Sequence, residues 1–320
     1  MKRVAFFLAL TVILDAAIGA AFDRIYPLSL TGERGGLTNY ALTKDADILV
    51  LGSSRAQYHI MPSVLQRRLS LRAYNAGLRG HDFLYAIMLY DLWKRAHPVP
   101  RAVLLHIDIE SMLERQNEIA SAQIFAPFLD QSKLVREVLY SDGPYKRFEY
   151  LSRAYRYNGK ALAIAKNLFA RQDPNSDGYI EATGELDPAA EAKVFNALDQ
   201  EAQPLDYARR PYSQVKLRYL RELAADCVQR GSRLFLVHTP RFRQDLAAHR
   251  IWMERMRKVV AGLPGVEIID ISEATRPEIF LGKRELYSDV NHLKGPGAEL
   301  LSTLLADELT RRLFPTAKSH

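Results

Sequence analysis

The 320-residue sequence is poor in cysteine and contains neither a run of basic residues nor a low-complexity segment. Its single cysteine, Cys227, cannot form an intramolecular disulfide bond, so an oxidising compartment is neither required nor excluded. The 44 Lys and Arg residues exceed the 37 Asp and Glu residues by 7, and this excess is spread thinly along the chain. Because basic patches with interleaved aromatic side chains are absent, we do not expect nucleic-acid binding.

An uncharged apolar run of eleven residues, Val4–Leu14, follows the basic pair Lys2-Arg3 and precedes Asp15. Two interpretations are open: a secretory signal peptide cleaved after Ala21, or a membrane anchor over Val4–Phe22. The anchor is favoured because roughly 19 residues can just span a slightly thinned bilayer. In both cases the positive end stays cytoplasmic and the rest of the chain is exported.

Asp15 needs an explanation of its own, because an acidic side chain within a bilayer is costly. It can pair with a membrane partner, lie near the outer interface, or be removed with a signal peptide.

From the favoured anchor interpretation we predict a single-pass protein of the cytoplasmic membrane. Residues 1–22 form the anchor or signal peptide, residues 23–44 a linker, and residues 45–320 a globular domain on the extracytoplasmic (periplasmic) side.

From residue 45 onward, short apolar runs alternate with helical stretches. The predicted strands cover 48–51, 72–75, 102–107, 233–239 and 266–270, and the predicted helices begin at Pro62 and cover 81–96, 213–230, 245–262 and 297–314. This alternation predicts a parallel α/β sheet with right-handed crossovers. The stretch from about 111 to 212 lacks a convincing strand, and we interpret it as a helical insertion that caps the sheet and shapes the substrate cleft.

The first predicted strand, Ile48–Leu51, ends abruptly at Gly52–Ser54. Open α/β sheets place their chemistry at the carboxyl ends of their strands. Gly52 permits a sharp turn, and a serine hydroxyl placed there is a nucleophile if a base and an orienting acid reach it. The stretch is not a phosphate-binding loop, since no Gly-Lys-[Ser/Thr] follows it. Nor is it the Gly-x-Ser-x-Gly elbow of the α/β-hydrolase fold, since Ala56 occupies the second glycine position.

Near the C-terminus, Asp289 and His292 are three residues apart at the entry to the last predicted helix. This spacing lets a carboxylate fix the tautomer of an imidazole and support its protonated form. Loops also hold such pairs for capping, or as two metal ligands. We predict no metal and no cofactor, because His106 and His238 at other strand ends show no metal-binding spacing.

Gly80 precedes the predicted helix 81–96, and its backbone N–H would point into the crevice at the carboxyl ends of the strands. Such donors stabilise a tetrahedral oxyanion, and removing one typically costs about 3–4 kcal/mol of transition-state stabilisation. The alternative is a simple turn glycine.

Together these stretches resemble the sequence blocks of the SGNH/GDSL hydrolase superfamily. Gly52–Ser54 resembles the first block, Gly-Asp-Ser, with Ser53 in the place of the aspartate and Ser54 in the place of the nucleophile. Asn75–Gly80 matches the second block, Asn-x-Gly-x-x-Gly, whose last glycine serves the oxyanion hole. Asp289–Gly297 matches the fifth block, Asp-x-x-His followed by a glycine-bearing helix start.

The resemblance implies a three-layer α/β/α, flavodoxin-like SGNH domain with a parallel sheet, a helical insertion and an N-terminal transmembrane helix. It also implies that Ser54, His292 and Asp289 form a catalytic triad, with the backbone N–H groups of Gly80 and Ser54 as the oxyanion hole. One block departs from the family. Asp108–Ser111 follows the strand where the third block would supply an oxyanion asparagine.

The sequence resembles one branch of the superfamily in three features: this departure, the Gly-Ser-Ser variant of the first block, and the apolar N-terminal segment. That branch contains membrane-anchored SGNH-like proteins that act beside membrane-bound O-acyltransferases, as in alginate acetylation and lipoteichoic-acid D-alanylation. The resemblance implies serine-dependent acyl transfer, by an O-acetyltransferase or acetylesterase, on a cell-envelope or exported polysaccharide. Two alternatives stay open: a non-catalytic SGNH-like binding or assembly protein that partners such an acyltransferase, and a lipid-directed esterase.

Overall fold

The computed structural model describes residues 1–32, 35–114, 118–170, 176–186, 189, 204–242 and 245–315. The chain forms two compact units. The larger unit comprises Asp45–Ile87, His97–Arg115 and Asp177–His320, and the smaller unit comprises Met1–Lys44, Met88–Ala96 and Gln116–Ser176. The domain boundaries expected from the sequence stay a prediction.

The larger unit contains a five-stranded parallel sheet in the order β2-β1-β3-β4-β5. The strands are β1 Ile48–Leu51, β2 Ala73–Asn75, β3 Ala102–His106, β4 Arg233–His238 and β5 Val266–Asp270. All residues of β1, β2 and β3 are buried, as expected of parallel strands covered on both faces. This strand order is that of flavodoxin-like folds, and it confirms the predicted α/β class.

Helices connect the strands of the larger unit, and their ends follow local sequence signals. Pro62 occupies the first turn of one helix, where its missing N–H is not needed. Gly231 ends another in the left-handed conformation (φ 78°). The helices are Ser54–His59, Pro62–Leu69, the start of Phe83–Trp93, Pro204–Arg209, Gln214–Arg230, Leu246–Ala261, Pro277–Phe280 and Gly295–Leu313, with a 3₁₀ turn at Arg284–Leu286.

The last helix, Gly295–Leu313, covers one face of the sheet. Its buried side chains recur at helical spacing and include Leu301, Leu305 and Leu309, each fully buried. They belong to the same apolar core as the β1 residues Ile48 and Val50. This packing fixes the chain that leads into the helix, and that chain carries Asp289 and His292.

The smaller unit contains helices and no strand among its described residues. Its helices are Lys2–Ile25, Gly36–Ala41, the end of Phe83–Trp93, Glu118–Ala122, Lys133–Tyr140, Lys146–Glu149 and Ala161–Phe169, with 3₁₀ turns at Tyr26–Leu28, Gln123–Phe128 and Ala154–Tyr157. In the described part of the chain, Lys2–Leu28 is the one helical segment long and apolar enough to cross a membrane.

Candidate active site

The turn that carries Ser54 depends on a glycine at the end of β1. Gly52 has a φ of 144°, in the region that L side chains rarely adopt, and a Cβ there would lie 2.7 Å from the Cβ of His106. The chain therefore turns sharply between β1 and the helix Ser54–His59. Ser54, the first residue of that helix, is partly exposed.

Asn75, the last residue of β2, holds the same helix in place. Its side-chain NH₂ donates to the carbonyl oxygens of Ala56 (2.7 Å) and Ile60 (2.8 Å), and its side-chain oxygen accepts from the Gly77 N–H (3.0 Å). Gly77 packs so closely that a Cβ would lie 2.7 Å from the Cβ of Ala56. Asn75 and Gly77 thus fix the position of the helix that begins at Ser54.

Gly80 lies in a turn that is tied to residues on either side of Ser54. The Leu78 N–H donates to the Gly52 carbonyl (3.1 Å), and the Arg79 N–H donates to the Gln57 side chain (3.0 Å). Gly80 itself is exposed, with a φ of 74°. The oxyanion role of the Gly80 and Ser54 N–H groups stays a prediction.

His292 is carried by a short loop closed on itself. An antiparallel bridge joins Tyr287 to Leu293, and the Ser288 N–H donates to the His292 carbonyl (2.9 Å). Within the loop, one Asp289 oxygen accepts from the backbone N–H groups of Asn291 (2.7 Å) and His292 (3.1 Å). These bonds orient the carboxylate toward the imidazole of His292.

The structure brings the Ser54, His292 and Asp289 side chains into one hydrogen-bonded line. His292 Nε2 lies 2.8 Å from Ser54 Oγ, and His292 Nδ1 lies 2.8 Å from Asp289 Oδ2. With the carboxylate ionised, Nδ1–H donates to Asp289, which leaves Nε2 to accept the Ser54 hydroxyl proton. The serine and the histidine are 238 positions apart in the chain.

The surroundings of the loop keep Asp289 ionised. Partial burial acts to raise the pKa of Asp289, but hydrogen bonds from the His292 ring and from the backbone N–H groups of Asn291 and His292 outweigh it, so the pKa lies below its ordinary value. Tyr58 packs edge-on against His292, with ring centroids 5.1 Å apart. Burial, together with the charge of Asp289, raises the pKa of Tyr58, which therefore stays a neutral phenol.

His59, which no sequence motif singled out, links the helix Ser54–His59 to the His292 loop. His59 Nε2 accepts a hydrogen bond from the Leu293 N–H (3.1 Å), so Nδ1 carries the proton that is shared with Thr239 Oγ1 (2.9 Å). Burial, with the nearby Arg55 charge, holds the pKa of His59 well below its ordinary value, so the ring is neutral. His106 also contacts Thr239 Oγ1, through Nε2 (3.1 Å).

Residues that follow β4 form a second link to the loop. Arg241 donates from Nε (3.0 Å) and Nη2 (2.7 Å) to the side-chain oxygen of Asn291. The Phe242 N–H donates to the Val290 carbonyl (3.0 Å). No local sequence motif predicts these contacts, because residues 241–242 and 290–291 all lie outside helices and strands.

A buried ion pair lies just beyond β3, where the SGNH/GDSL block pattern would place an asparagine. The guanidinium of Arg55, the residue after Ser54, binds the Asp108 carboxylate just beyond β3. Both side chains are largely buried, and within the described chain Arg55 Nη1 has no hydrogen-bond partner. The sequence shows that an arginine follows Ser54, but its burial and its partner Asp108 are visible only in the structure.

A separate group of side chains in the larger unit could hold a metal ion. His238, His249 and Asp270 come from β4, the helix Leu246–Ala261 and β5, and their ligand atoms lie within 4.8 Å of one another. It is the one such group of three found among the described residues. His249 Nε2 lies 3.1 Å from Asp270 Oδ2, which an ordinary buried histidine–aspartate contact without a metal also explains.

Comparisons with known proteins add little to this geometry. No protein-family model and no curated protein matches the chain. A solved structure from Streptococcus pneumonia, provisionally described as a platelet activating factor, aligns with 97% of this chain and 99% of its own at 12% identity and a TM-score of 0.39. A likeness of this strength carries no inference about activity.

Proposed function

We propose that the chain is a serine-dependent acyl-transfer enzyme with Ser54 as nucleophile, His292 as general base and acid, and Asp289 as the residue that orients the base. The observation that carries this proposal is the pair of 2.8 Å contacts that join the three side chains in series. Such a series lets an otherwise weak hydroxyl attack an ester.

In the first half-reaction, Ser54 Oγ attacks the carbonyl carbon of an ester while its proton passes to His292 Nε2. The ionised Asp289 stabilises the imidazolium that forms and holds the ring in place. The tetrahedral intermediate collapses when the leaving alcohol takes the proton from Nε2. The acyl group is then bonded to Ser54.

In the second half-reaction, an acceptor hydroxyl gives its proton to His292 Nε2 and attacks the acyl carbon. Bond cleavage to Oγ returns the proton to Ser54 and releases the new ester or acid. A sugar hydroxyl as acceptor gives an O-acetyltransferase, and water gives an acetylesterase. In both half-reactions the Gly80 and Ser54 N–H groups are the proposed donors to the oxyanion.

The substrate and location in this proposal come from the family resemblance and the N-terminal helix. We propose a cell-envelope or exported polysaccharide as substrate and a membrane-bound O-acyltransferase as partner. The helix Lys2–Ile25 is the proposed single-pass anchor in the cytoplasmic membrane, with the rest of the chain on the periplasmic side. A helix of 24 residues is long enough for this role.

A fluorophosphonate probe tests the serine directly, because it reacts with an activated hydroxyl and leaves a covalent adduct. We expect one adduct, on Ser54, that is lost in Ser54→Ala and retained in Ser53→Ala. The neighbouring Ser53 is a matched control, since its side chain makes no capping hydrogen bond to the helix. An adduct that survives in Ser54→Ala would overturn the proposal.

A non-catalytic binding or assembly role is the second candidate, and the Arg55–Asp108 pair favours it. This pair occupies the region of the missing asparagine donor, so a strong side-chain contact to an oxyanion is lost there. Polymer binding that is unchanged in Ser54→Ala, together with no adduct in the wild-type chain, would support this candidate. Turnover of acetylated sugars and not of acyl lipids would separate the enzyme from a lipid-directed esterase.

A further inference from the structure

In the smaller unit, the acidic residue inside the apolar N-terminal helix has its partners within the same chain. Both oxygens of Asp15 accept hydrogen bonds: from Ser152 Oγ (2.5 Å), the Arg153 N–H (2.9 Å) and the Ala154 N–H (3.2 Å). These N–H groups belong to the start of the 3₁₀ turn Ala154–Tyr157. The carboxylate and the backbone donors therefore satisfy each other without water.

The same face of the helix stays in contact with this segment for two further turns. Gly19 is buried, and a Cβ there would lie 2.3 Å from the Cβ of Arg153. Phe22 stacks on Tyr157 with ring centroids 5.0 Å apart, and Asp23 accepts from the Tyr157 hydroxyl (2.5 Å) and binds the Arg153 guanidinium. Small residues and satisfied polar groups are what helix contacts inside a bilayer require.

Helix geometry gives the depth of these contacts if the helix spans a membrane. With a rise of about 1.5 Å per residue, Asp15 lies roughly 18 Å beyond Arg3, and Asp23 lies roughly 30 Å beyond it. The hydrocarbon core is about 30 Å thick, so Asp23 reaches the far interface when Arg3 marks the near one. Asp15 then lies about 3 Å beyond the bilayer centre, so its partners at 152–154 lie deep in the far leaflet.

The segment that supplies these partners exposes large apolar side chains. Between residues 145 and 169 the exposed fractions are 70% for Phe148, 73% for Leu151, 84% for Leu162 and 90% for Phe169. The N-terminal helix exposes apolar side chains in the same unit, among them Val12 at 67%. Helix and segment therefore offer apolar surface on both sides of their contact.

The segment is also basic. Residues 145–169 contain six Lys or Arg residues and one acidic residue, Glu149. Long cationic side chains can reach from the acyl-chain region to the headgroups, as the Arg153 guanidinium reaches Asp23 at the proposed far interface.

We propose that residues 145–169 are embedded in the outer leaflet of the bilayer beside the N-terminal helix, with Phe148, Leu151 and Leu162 against lipid acyl chains. The chain would thus be held by a membrane-inserted unit and not by a single helix. This inference rests on the proposed membrane anchorage. It assigns Asp15 an intramolecular role, because the carboxylate fixes the inserted turn at membrane depth.

The test uses the full-length chain in vesicles of phosphatidylcholine and phosphatidylglycerol. Variants that each add one exposed cysteine to the buried Cys227, Phe148→Cys and Leu162→Cys, carry an environment-sensitive fluorophore, and quenching is measured with acyl-chain nitroxide lipids and with aqueous iodide. Val12→Cys reports on the helix. Val228→Cys, 48% exposed in the larger unit, is the aqueous control. The wild-type chain is the labelling blank, because Cys227 is fully buried.

We expect nitroxide lipids to quench the labels at 148 and 162 several-fold more than the label at 228, and iodide to show the reverse order. Labels at 148 and 162 that behave like 228, while 12 is quenched by lipid, would overturn the insertion and leave the anchor intact. A label at 12 that behaves like 228 would overturn both.

A second variant tests whether the helix contact sets the depth. Gly19→Leu places a side chain where Arg153 now packs, so lipid quenching at 162 should fall toward the value at 228. Ala17→Leu, at an exposed position of the same helix, should leave it unchanged. Unchanged quenching at 162 in Gly19→Leu would contradict the proposal.

Discussion

The turn that carries Ser54 and the loop that carries His292 are built by different means. The turn follows from local chemistry: an apolar strand, a glycine with φ 144° and a helix that starts at the serine. The loop has no regular structure beyond one bridge, and side chains from distant segments hold it. Those side chains are His59, through the Leu293 N–H, and Arg241, through Asn291.

The difference separates two kinds of substitution. A change in the turn acts on the backbone at Ser54, whereas a change at His59 or Arg241 acts on the position of the His292 ring. Misplacement of a catalytic group by about 1 Å can cost on the order of 100-fold in rate. We therefore expect substitutions of residues far away in the sequence to lower the activity more through the His292 loop than through the Ser54 turn.

Removal of the base should give the largest effect. In His292→Gln no group accepts the Ser54 proton, and we expect kcat for p-nitrophenyl acetate to fall on the order of 10⁴-fold or more. His97→Gln, which removes a ring that contacts Asp45 (2.5 Å), is the control and should keep the rate within a few-fold. A comparable loss of kcat in both variants would mean that the effect is not specific to His292. It would contradict the role of the contacts that join Ser54, His292 and Asp289.

Distortion of the turn should come next. Gly52→Ala forces a Cβ to within 2.7 Å of the His106 Cβ at an unfavourable φ, and we expect a loss of about 1–3 kcal/mol in the free energy of unfolding together with most of the activity. Gly231→Ala also has a positive φ (78°), in the left-handed region with a milder penalty, and meets no atom within 4 Å. It should lower stability and leave kcat of the folded fraction intact. Equal kcat in the two variants would contradict the role of the turn.

The link through His59 should give a smaller and more specific effect. His59→Leu leaves the buried Leu293 N–H without an acceptor, which costs about 1–3 kcal/mol of stability and loosens the His292 loop. We expect kcat to fall about 10- to 100-fold. The side-chain oxygen of Gln can accept the same hydrogen bond, so His59→Gln should recover part of kcat. A stability loss in His59→Leu without any change in kcat would show that the loop does not need this link.

The smallest effect on kcat should accompany the pH dependence of stability, which does not involve the contacts of Ser54. Burial lowers the pKa of His238 to about 3, so the folded state leaves this ring neutral while the unfolded chain protonates it below about pH 6.5. Stability is therefore full above pH 6.5 and is lost as the pH falls toward 3, by on the order of 2 kcal/mol per such histidine between pH 6.5 and 5.

Trp252 fluorescence can follow this unfolding, because its ring lies 4.7 Å from His238. His238→Gln should flatten the pH dependence by the contribution of one histidine. An unchanged slope would show that other groups carry it, such as His59 and His106, whose pKa values burial also lowers.

Much of the architecture could be predicted from residue patterns, because short buried strands and capped helices have local signatures. The predicted strand 48–51 and the helix ended by Gly231 match the structure, whereas the predicted helix 81–96 is shorter, at Phe83–Trp93. The last helix begins at Gly295, two residues earlier than predicted. Helix ends are less certain because several neighbouring residues can cap equally well.

By itself the sequence determined the α/β class and the order of the strands along the chain, since both follow from spacing within a few residues. The choice of Ser54, Asp289 and His292 came from the resemblance to the SGNH/GDSL blocks. Only the tertiary structure decided that Ser54 and His292 meet, that His59 and Arg241 hold the loop, and that Arg55 pairs with Asp108. These contacts join residues from different strands and loops. No local period encodes them, because they exist only after the sheet has brought the carboxyl ends of its strands to one edge.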